Sequence, residues 1–204
     1  MKPHSTTPTP LSTPTVPSTA GEGPGLDLAF AVDEQLSAAL MAQAGSLALD
    51  EAAEERWSAL MARWLAELGP ELPAALRAPS FSLGLRLTDD HEMAGLNEQW
   101  RGISCPTDVL AFAAQEELPA LANPEATLEL GDIIISLDTA ARQAAAAGHD
   151  LREELLFLAS HGLLHLVGWD HPDEASLEAM LARQDRLVAA TALDCPHAMV
   201  PRGE

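Results

Sequence analysis

The sequence predicts an α+β fold, with a small mixed sheet of about four strands and helices packed on it. Short segments of alternating or continuous apolar residues lie between longer segments with helical spacing, and no steady strand–helix–strand rhythm connects them. The chain also lacks the Gly-rich phosphate loop found in many nucleotide-binding α/β proteins. These observations favour helices packed on one small sheet over a doubly wound parallel sheet.

The chain length of 204 residues allows one domain with a full hydrophobic core. Residues 1–25 are rich in Pro, Thr and Ser and have few large apolar side chains, so we expect a disordered tail there. We expect residues 26–195 to form the single domain and residues 196–204 to form a C-terminal tail.

The predicted strands are short apolar segments bounded by turn-forming residues. The first two alternate between apolar and other side chains, and the last two are rich in β-branched or other apolar residues. They are residues 26–33, 81–88, 108–112 and 131–136. Residues 113–130 contain Pro and Glu and are expected to form a loop.

The predicted helices have apolar residues at intervals of three and four positions, and several begin at an Asp and end at a Gly. They are residues 50–68, 89–101, 138–147, 150–168 and 173–190. Trp57, Met61 and Trp64 give the first of these helices its apolar face, and Gly69-Pro70 ends it. Gly102 and Gly148 are expected to end the second and third helices.

The charge of the chain restricts how it could bind nucleic acid. It has 31 acidic against 11 basic residues, a net charge of −20, and Lys2 is its only lysine. Tight binding to the phosphates of nucleic acid normally requires several Lys or Arg residues along one surface. A broad cationic binding surface is therefore excluded, and a site for RNA would have to be local and centred on a metal ion. DNA is not expected as a partner.

The sequence also predicts a cytoplasmic protein. No apolar segment approaches the roughly 18 uncharged residues of a membrane-spanning helix, so a membrane partner is not expected. The N-terminus has no basic region followed by an apolar stretch, which argues against a secretory signal. Cys105 and Cys195 are too few for a disulfide framework and fit a reducing compartment.

The most informative segment has the pattern HxxxHxxGxxH, formed by His161, His165, Gly168 and His171. Residues four apart lie on one face of a helix, so His161 and His165 can present ring nitrogens to one point. Gly168 can adopt the positive φ that ends a helix and turns the chain back, bringing His171 to the same point. Three protein ligands and one open position are typical of a catalytic zinc ion. A lone HxxxH would instead indicate buried core histidines, and His4, His91, His149 and His197 are expected to be surface or tail residues.

Metzincin proteases share this spacing, so a metal-dependent peptidase has to be weighed. Those enzymes carry a Glu directly after the first histidine as the general base, whereas this chain has Gly162. A glycine cannot accept a proton. The pattern therefore favours chemistry in which a water molecule activated by the metal does most of the work.

The segment HGLLHLVGWDH, together with NEQWRG, PTDVLAF and LGDIIIS upstream, resembles the YbeY endoribonuclease family over residues 87–186. The resemblance implies a single-domain, metal-dependent endoribonuclease of bacterial type, also found in plastids. Its implied role is to cut single-stranded RNA in ribosomal RNA maturation, at the 3′ end of the small-subunit RNA, and in ribosome quality control. It further implies one Zn²⁺ per chain on His161, His165 and His171, and a functional arginine at Arg101.

The chain departs from the family pattern at two places near the expected site. Family members usually carry basic residues between the arginine and the PTD motif, but this chain has the uncharged residues Gly102 to Cys105. The usual serine of PTDVLSF is Ala111 here. The first departure lowers the expected affinity for RNA in the absence of a partner.

Arg101 and His161 are the expected catalytic residues. A guanidinium can hold two phosphate oxygens and offset the charge that develops during phosphodiester cleavage. Arg101 would then orient the scissile phosphate, although a charge at the end of a helix also has a purely structural use. Thr107 and Asp108 could line the RNA site, but a PTD sequence is also ordinary before a strand.

Asp170 and Asp132 are candidates for carboxylates that accept the ring N–H of a ligand histidine. The alternative for each is an ordinary turn residue. Two rivals to the ribonuclease remain open: the peptidase, and a ribosome-assembly protein whose metal ion only stabilises the fold. The acidic composition keeps the second rival open, because ribosomal proteins or assembly factors could be its partners without a cationic face.

Overall fold

The computed structural model of the chain describes residues 23–49, 51–114 and 127–191. Their elements are, in order, β1 (Gly25–Val32), α1 (Ala38–Ala44), α2 (Ala53–Leu68), β2 (Ser80–Thr88), α3 (Asp90–Arg101), β3 (Val109–Ala113), β4 (Thr127–Ser136), α4 (Leu137–Ala147), α5 (Leu151–Leu166) and α6 (Glu174–Thr191). Short 3-10 turns at Gly45–Leu47 and Ala74–Leu76 flank α2. Strands and helices share one α+β architecture, as the sequence predicts.

The four strands form one mixed sheet in the order β1-β2-β4-β3. β1 and β2 are parallel, β2 and β4 are parallel, and β3 runs antiparallel to β4 at the edge. The parallel pairs need long connections, which α1 and α2 supply between β1 and β2. The shorter antiparallel strand β3 contacts α5, the helix that carries His161 and His165.

A bulge in β4 changes which of its side chains face the main core. Ser82 pairs with Glu129 but Leu83 pairs with Gly131, so Leu130 is an extra residue on β4. Gly131 has φ 117°, and a Cβ atom there would lie 1.9 Å from the carbonyl oxygen of Phe112. Only glycine fits this position. Because of the extra residue, Leu130 before the bulge and Ile133 after it both reach the same core.

The two faces of the sheet carry different layers. The main core lies on one face, where Trp57, Met61 and Trp64 of α2 and the apolar side of α5 are buried against the strands. α3 covers part of the other face, where Met93 packs with Leu110 and Ile134 in a second, smaller cluster. The helix that carries two of the three histidines is therefore anchored in the larger core.

The described residues correct several boundaries predicted from the sequence. Thr127 to Leu130 are the first half of β4 and not part of a loop, whereas residues 115–126 lie outside the described part of the chain. The sequence did not predict α1 separately, and α5 ends at Leu166 before the turn at Gly168. The expected tails fall mostly on residues 1–22 and 192–204, which are likewise outside the described residues.

His149 also differs from its expected surface position. It is largely buried just before α5, where its Nε2 pairs with the carboxylate of Glu154, which is also buried. His91 is exposed as expected. Within the described ranges, no helix combines the length and apolar character needed to cross a membrane.

Candidate metal centre

α5 places His161 and His165 one turn apart, and local signals in the sequence define both of its ends. Asp150 caps the start, where its Oδ1 accepts a hydrogen bond of 2.8 Å from the backbone N–H of Glu153. At the other end, Gly168 has φ 92°, and the Trp169 N–H donates to the Leu164 carbonyl at 3.0 Å. This turn reverses the chain and brings His171 back beside the helix.

The three imidazole rings converge. Nε2 of His161 lies 3.0 Å from Nε2 of His165, and one ring nitrogen from each of His161, His165 and His171 lies within 4.8 Å of the others. In the described part of the chain this is the one group of His, Cys, Asp or Glu residues arranged to hold a metal ion. Nitrogens about 2.0 Å from one tetrahedral zinc ion are roughly 3.3 Å apart, so the spacing suits such an ion.

The surroundings of His161 and His165 favour the neutral form of both rings, as metal binding requires. Burial lowers the pKa of His161, and the charge of His171 lowers it further, whereas the hydrogen bond that the Gln184 amide oxygen accepts from the ring and the charge of Asp108 act in the opposite direction. Burial is also the largest effect that lowers the pKa of His165, and the charges of the other two rings lower it further. Both rings therefore offer an unprotonated nitrogen at neutral pH.

Gln184 is a contact of the site that the sequence analysis missed. It is completely buried on α6, and its side-chain amide lies between the His161 ring and the backbone of α5. Oε1 is 3.1 Å from His161 Nδ1, and Nε2 donates to the Phe157 carbonyl oxygen at 3.1 Å. The sequence did contain a sign of this contact: Gln184 is a polar residue on the buried side of α6, between Met180 and Leu187.

Asp108 lies close enough to His161 for its charge to affect that ring. Burial disfavours the charged form of Asp108, but hydrogen bonds from Gln143, the Val109 backbone and Thr107 outweigh it and lower the pKa of this carboxyl group. These bonds measure 3.0, 2.8 and 3.0 Å. Asp108 is thus held ionised, and the Thr107 hydroxyl turns inward to it. Gln143 was not predicted to take part.

The two other carboxylates predicted near the histidines differ in position. Asp170 accepts the backbone N–H of His171 at 2.8 Å, and its charge raises the pKa of the His165 ring, so it belongs to the turn that positions His171. Asp132 is exposed on the face of β4 that faces away from α5, and its carboxylate lies against Gly84. The expectation that Asp132 accepts a ring N–H of a ligand histidine is therefore corrected.

Arg101 is exposed at the end of α3 and, among the described residues, has no hydrogen bond or ion pair. No contact within those residues joins it to the histidines. The loop that follows is fixed by Asn97, which is buried and whose Nδ2 donates to the Cys105 carbonyl at 2.8 Å. Trp100 beside it is 63% exposed, with its ring 5.3 Å from that of Phe112.

The position after the first histidine, Gly162, requires a small residue because α5 approaches the sheet closely there. A Cβ atom at this position would lie 2.8 Å from Cγ2 of Ile133 on β4. The position is buried and faces the sheet, so it has no room for a larger side chain. A glutamate base of the metzincin type does not fit there.

Comparisons with known proteins show which chains this one resembles. The family model described as "Endoribonuclease YbeY" matches residues 46–192. A relative of that name from Synechococcus sp. (strain RCC307) is 59% identical over 143 residues, which cover 70% of this chain and 89% of the relative. Another of that name, from Cyanothece sp. (strain PCC 7425 / ATCC 29141), is 53% identical over 71% of this chain and 85% of its own length. A third, from Synechococcus sp. (strain CC9605), is 45% identical over 80% of this chain and 98% of its own length.

The fold and the three-histidine site define an α+β protein with a cluster of histidines that could hold a metal ion. The matched model spans most of the described residues, including every histidine of the site. The chain belongs to the endoribonuclease YbeY family.

Proposed function

We propose that this chain is a zinc-dependent endoribonuclease that cuts single-stranded RNA in the cytoplasm. Its proposed substrate is ribosomal RNA, at the 3′ end of the small-subunit RNA, with a further role in ribosome quality control. The observation that carries the proposal is the convergence of His161, His165 and His171 in a chain whose relatives are named endoribonucleases. One Zn²⁺ per chain fits this set of neutral nitrogen ligands.

When bound, a zinc ion supplies Lewis acidity and an activated water molecule near neutral pH. The chain's own residues provide the surroundings that this chemistry needs. Asp108 holds a negative charge near His161, which favours a cation there, and Asp170 does the same near His165. Because Thr107 and Asp108 are occupied by their mutual hydrogen bond, we propose that they support the site and do not bind RNA directly.

Arg101 is the best candidate for binding the scissile phosphate. The other arginines of the described residues, apart from Arg152, are already engaged by carboxylates, backbone carbonyls or other groups: Arg56, Arg63, Arg77, Arg86, Arg142, Arg183 and Arg186. Arg101 and Arg152 are the two in these ranges without such a partner. Arg152 is in the first turn of α5, about 13 Å along the helix axis from His161.

The experiment measures metal content and cleavage on the same purified full-length chain. We expect about one zinc per chain, multiple turnover on a single-stranded RNA that contains the 3′ end of the small-subunit RNA, and no cleavage of a peptide library. His161→Ala should lose both zinc and cleavage.

Three results would overturn the proposal. Absence of a bound transition metal would remove the chemistry, and cleavage of peptides in place of RNA would indicate the peptidase. Zinc binding and ribosome association without turnover would indicate a non-catalytic assembly protein.

A further inference from the structure

Gln184 occupies an unusual position for a polar side chain. It has no exposed surface, and it lies on the side of α6 that also buries Met180 and Leu187. An amide at such a position is stable only if its donor and acceptor are both used. The structure uses both, one toward the backbone of α5 and one toward the ring of a histidine in the metal centre.

The Phe157 carbonyl fixes the orientation of the Gln184 amide. A carbonyl oxygen can only accept hydrogen bonds, so the group 3.1 Å from it must be the amide NH₂. The amide oxygen then faces the imidazole, 3.1 Å from His161 Nδ1. Because an amide oxygen can also only accept, the hydrogen of the neutral ring must be on Nδ1.

The tautomer decides which nitrogen of His161 has a lone pair available to bind a metal ion. With the hydrogen on Nδ1, Nε2 carries the lone pair, and Nε2 is the atom that lies 3.0 Å from Nε2 of His165. With the hydrogen on Nε2, the ring would have to lose or move a proton before it could bind a cation there. We propose that Gln184 is a positioning residue, which holds His161 in its Nδ1–H tautomer and so presents Nε2 to the metal ion. This inference rests on the metal ion of the proposed function.

The direct test is NMR of the histidine rings in the full-length protein, without metal and with one equivalent of zinc. Two-bond ¹H–¹⁵N correlations distinguish Nδ1–H from Nε2–H rings. We expect His161 to be Nδ1–H in the metal-free protein, before any ligand could impose that tautomer. An Nε2–H ring for His161 in the metal-free wild type would overturn the proposal without any variant.

Variants test whether Gln184 is the cause. Gln184→Met keeps the length of the side chain but removes the acceptor, so the Nδ1–H preference should disappear and the Kd for zinc should rise about 10- to 100-fold. Gln184→Glu keeps an oxygen beside Nδ1, so it should restore the Nδ1–H ring and bind zinc more tightly than Gln184→Met does. An unchanged tautomer in Gln184→Met would show that Gln184 has only a packing role.

Ser160→Ala is the matched control. Ser160 Oγ donates to the same Phe157 carbonyl oxygen at 2.8 Å, so this variant disturbs that carbonyl and leaves the amide beside the ring in place. We expect it to keep the Nδ1–H ring and to change the zinc Kd by less than twofold. Equal losses in Ser160→Ala and Gln184→Met would assign the effect to α5 and contradict the proposal. Tautomer and zinc affinity are both measured without RNA, so failure of cleavage alone would count against the proposed function and not against this inference.

Discussion

At the scale of single residues, Arg101 and Arg152 form a natural pair for comparison. Both Arg101 and Arg152 are exposed, and neither has a hydrogen bond or ion pair among the described residues. Arg101→Ala should lower kcat for RNA cleavage about 10²- to 10³-fold, because a donor to the developing phosphate charge is lost. Arg101→Lys should recover only part of the rate, since an ammonium cannot hold two oxygens in one plane.

Arg152→Ala is the control for the loss of one exposed positive charge. Steady-state cleavage of the same single-stranded RNA measures kcat for both variants, and Arg152→Ala should change it by less than twofold. Equal losses for the two variants would mean that Arg101 contributes general electrostatic attraction and does not orient the phosphate.

Gly162 gives a second prediction at this scale. Gly162→Ala should destabilise the protein, because overpacking against Ile133 costs about 1–3 kcal/mol and exceeds the gain in helix propensity of about 0.5–1 kcal/mol. Gly95→Ala is the matched control. Gly95 also lies inside a helix, but a Cβ atom added there would meet open space. It should stabilise the protein by about 0.5–1 kcal/mol. Urea unfolding of the two variants should give changes of opposite sign, and equal stabilisation would contradict the close contact.

The residues of the candidate metal centre were predictable to different degrees. His161, His165 and His171 lie within one motif, so helix periodicity and one glycine were enough to bring them together. Gln184 reaches the site from another helix, and its contact depends on how α5 and α6 pack, which no local pattern encodes. The position of Asp132 was predicted wrongly for a related reason. The face of the sheet to which a strand residue points depends on every bulge before it.

At the scale of elements, Asp90 connects the start of α3 to α4. Its carboxylate accepts hydrogen bonds from Ser136 Oγ at 2.6 Å and Thr139 Oγ1 at 2.7 Å, and pairs with Arg142 at 2.8 Å. Burial would raise the pKa of Asp90, but these three partners outweigh it and hold the pKa below its ordinary value. The folded state therefore binds this proton less readily than the unfolded chain.

The sign of the pH effect follows from that lowered pKa. The stabilisation is fully present above the pKa of Asp in the unfolded chain, about 3.9, and is lost as the pH falls through the lower folded value. Asp90→Asn should thus reduce the free energy of unfolding at pH 6, and the difference from the wild type should shrink below about pH 4. Asp27→Asn, which removes a charge from an exposed position of β1, should show no such loss at pH 6. Urea titrations at several pH values measure both, and a loss independent of pH would contradict the role of the ionised form.

Most elements were predictable because their periodicity is regular, and the exceptions have physical causes. α1 is only seven residues long and has one fully buried residue, Ala44, so its apolar face is weak. The first half of β4 was assigned to a loop because the bulge interrupts the alternation between Leu130 and Ile133. Sheet order was not predictable, since the pairing of β2 with β4 joins segments far apart in the chain.

At the scale of the whole molecule, the net charge of −20 and the engaged arginines limit direct binding to RNA. If Arg101 is the main phosphate contact, the slope of log Kobs against log salt concentration should be about −0.7 for single-stranded RNA. Fluorescence anisotropy at several salt concentrations measures this slope. A slope steeper than about −4 would mean that several further cations contact the phosphates, which the described residues do not offer.

The same shortage of free cations favours a protein partner for substrate delivery. A basic ribosomal protein or assembly factor could bind the acidic surface and bring the RNA with it. We expect addition of such a partner to lower KM for RNA more than it raises kcat. An unchanged KM in its presence would show that the chain finds its substrate alone.

The extra residue in β4 keeps the apolar side chains before and after it on the same side of the sheet, and this restricts changes in chain length. If one residue were deleted at the bulge, every side chain on one flank would exchange sides at once. Leu128 and Leu130 would then point to water, or the carboxylate of Asp132 would enter the layer beneath α5. A single deletion here would therefore be more damaging than most substitutions in the same strand, because it moves a whole row of side chains and not just one.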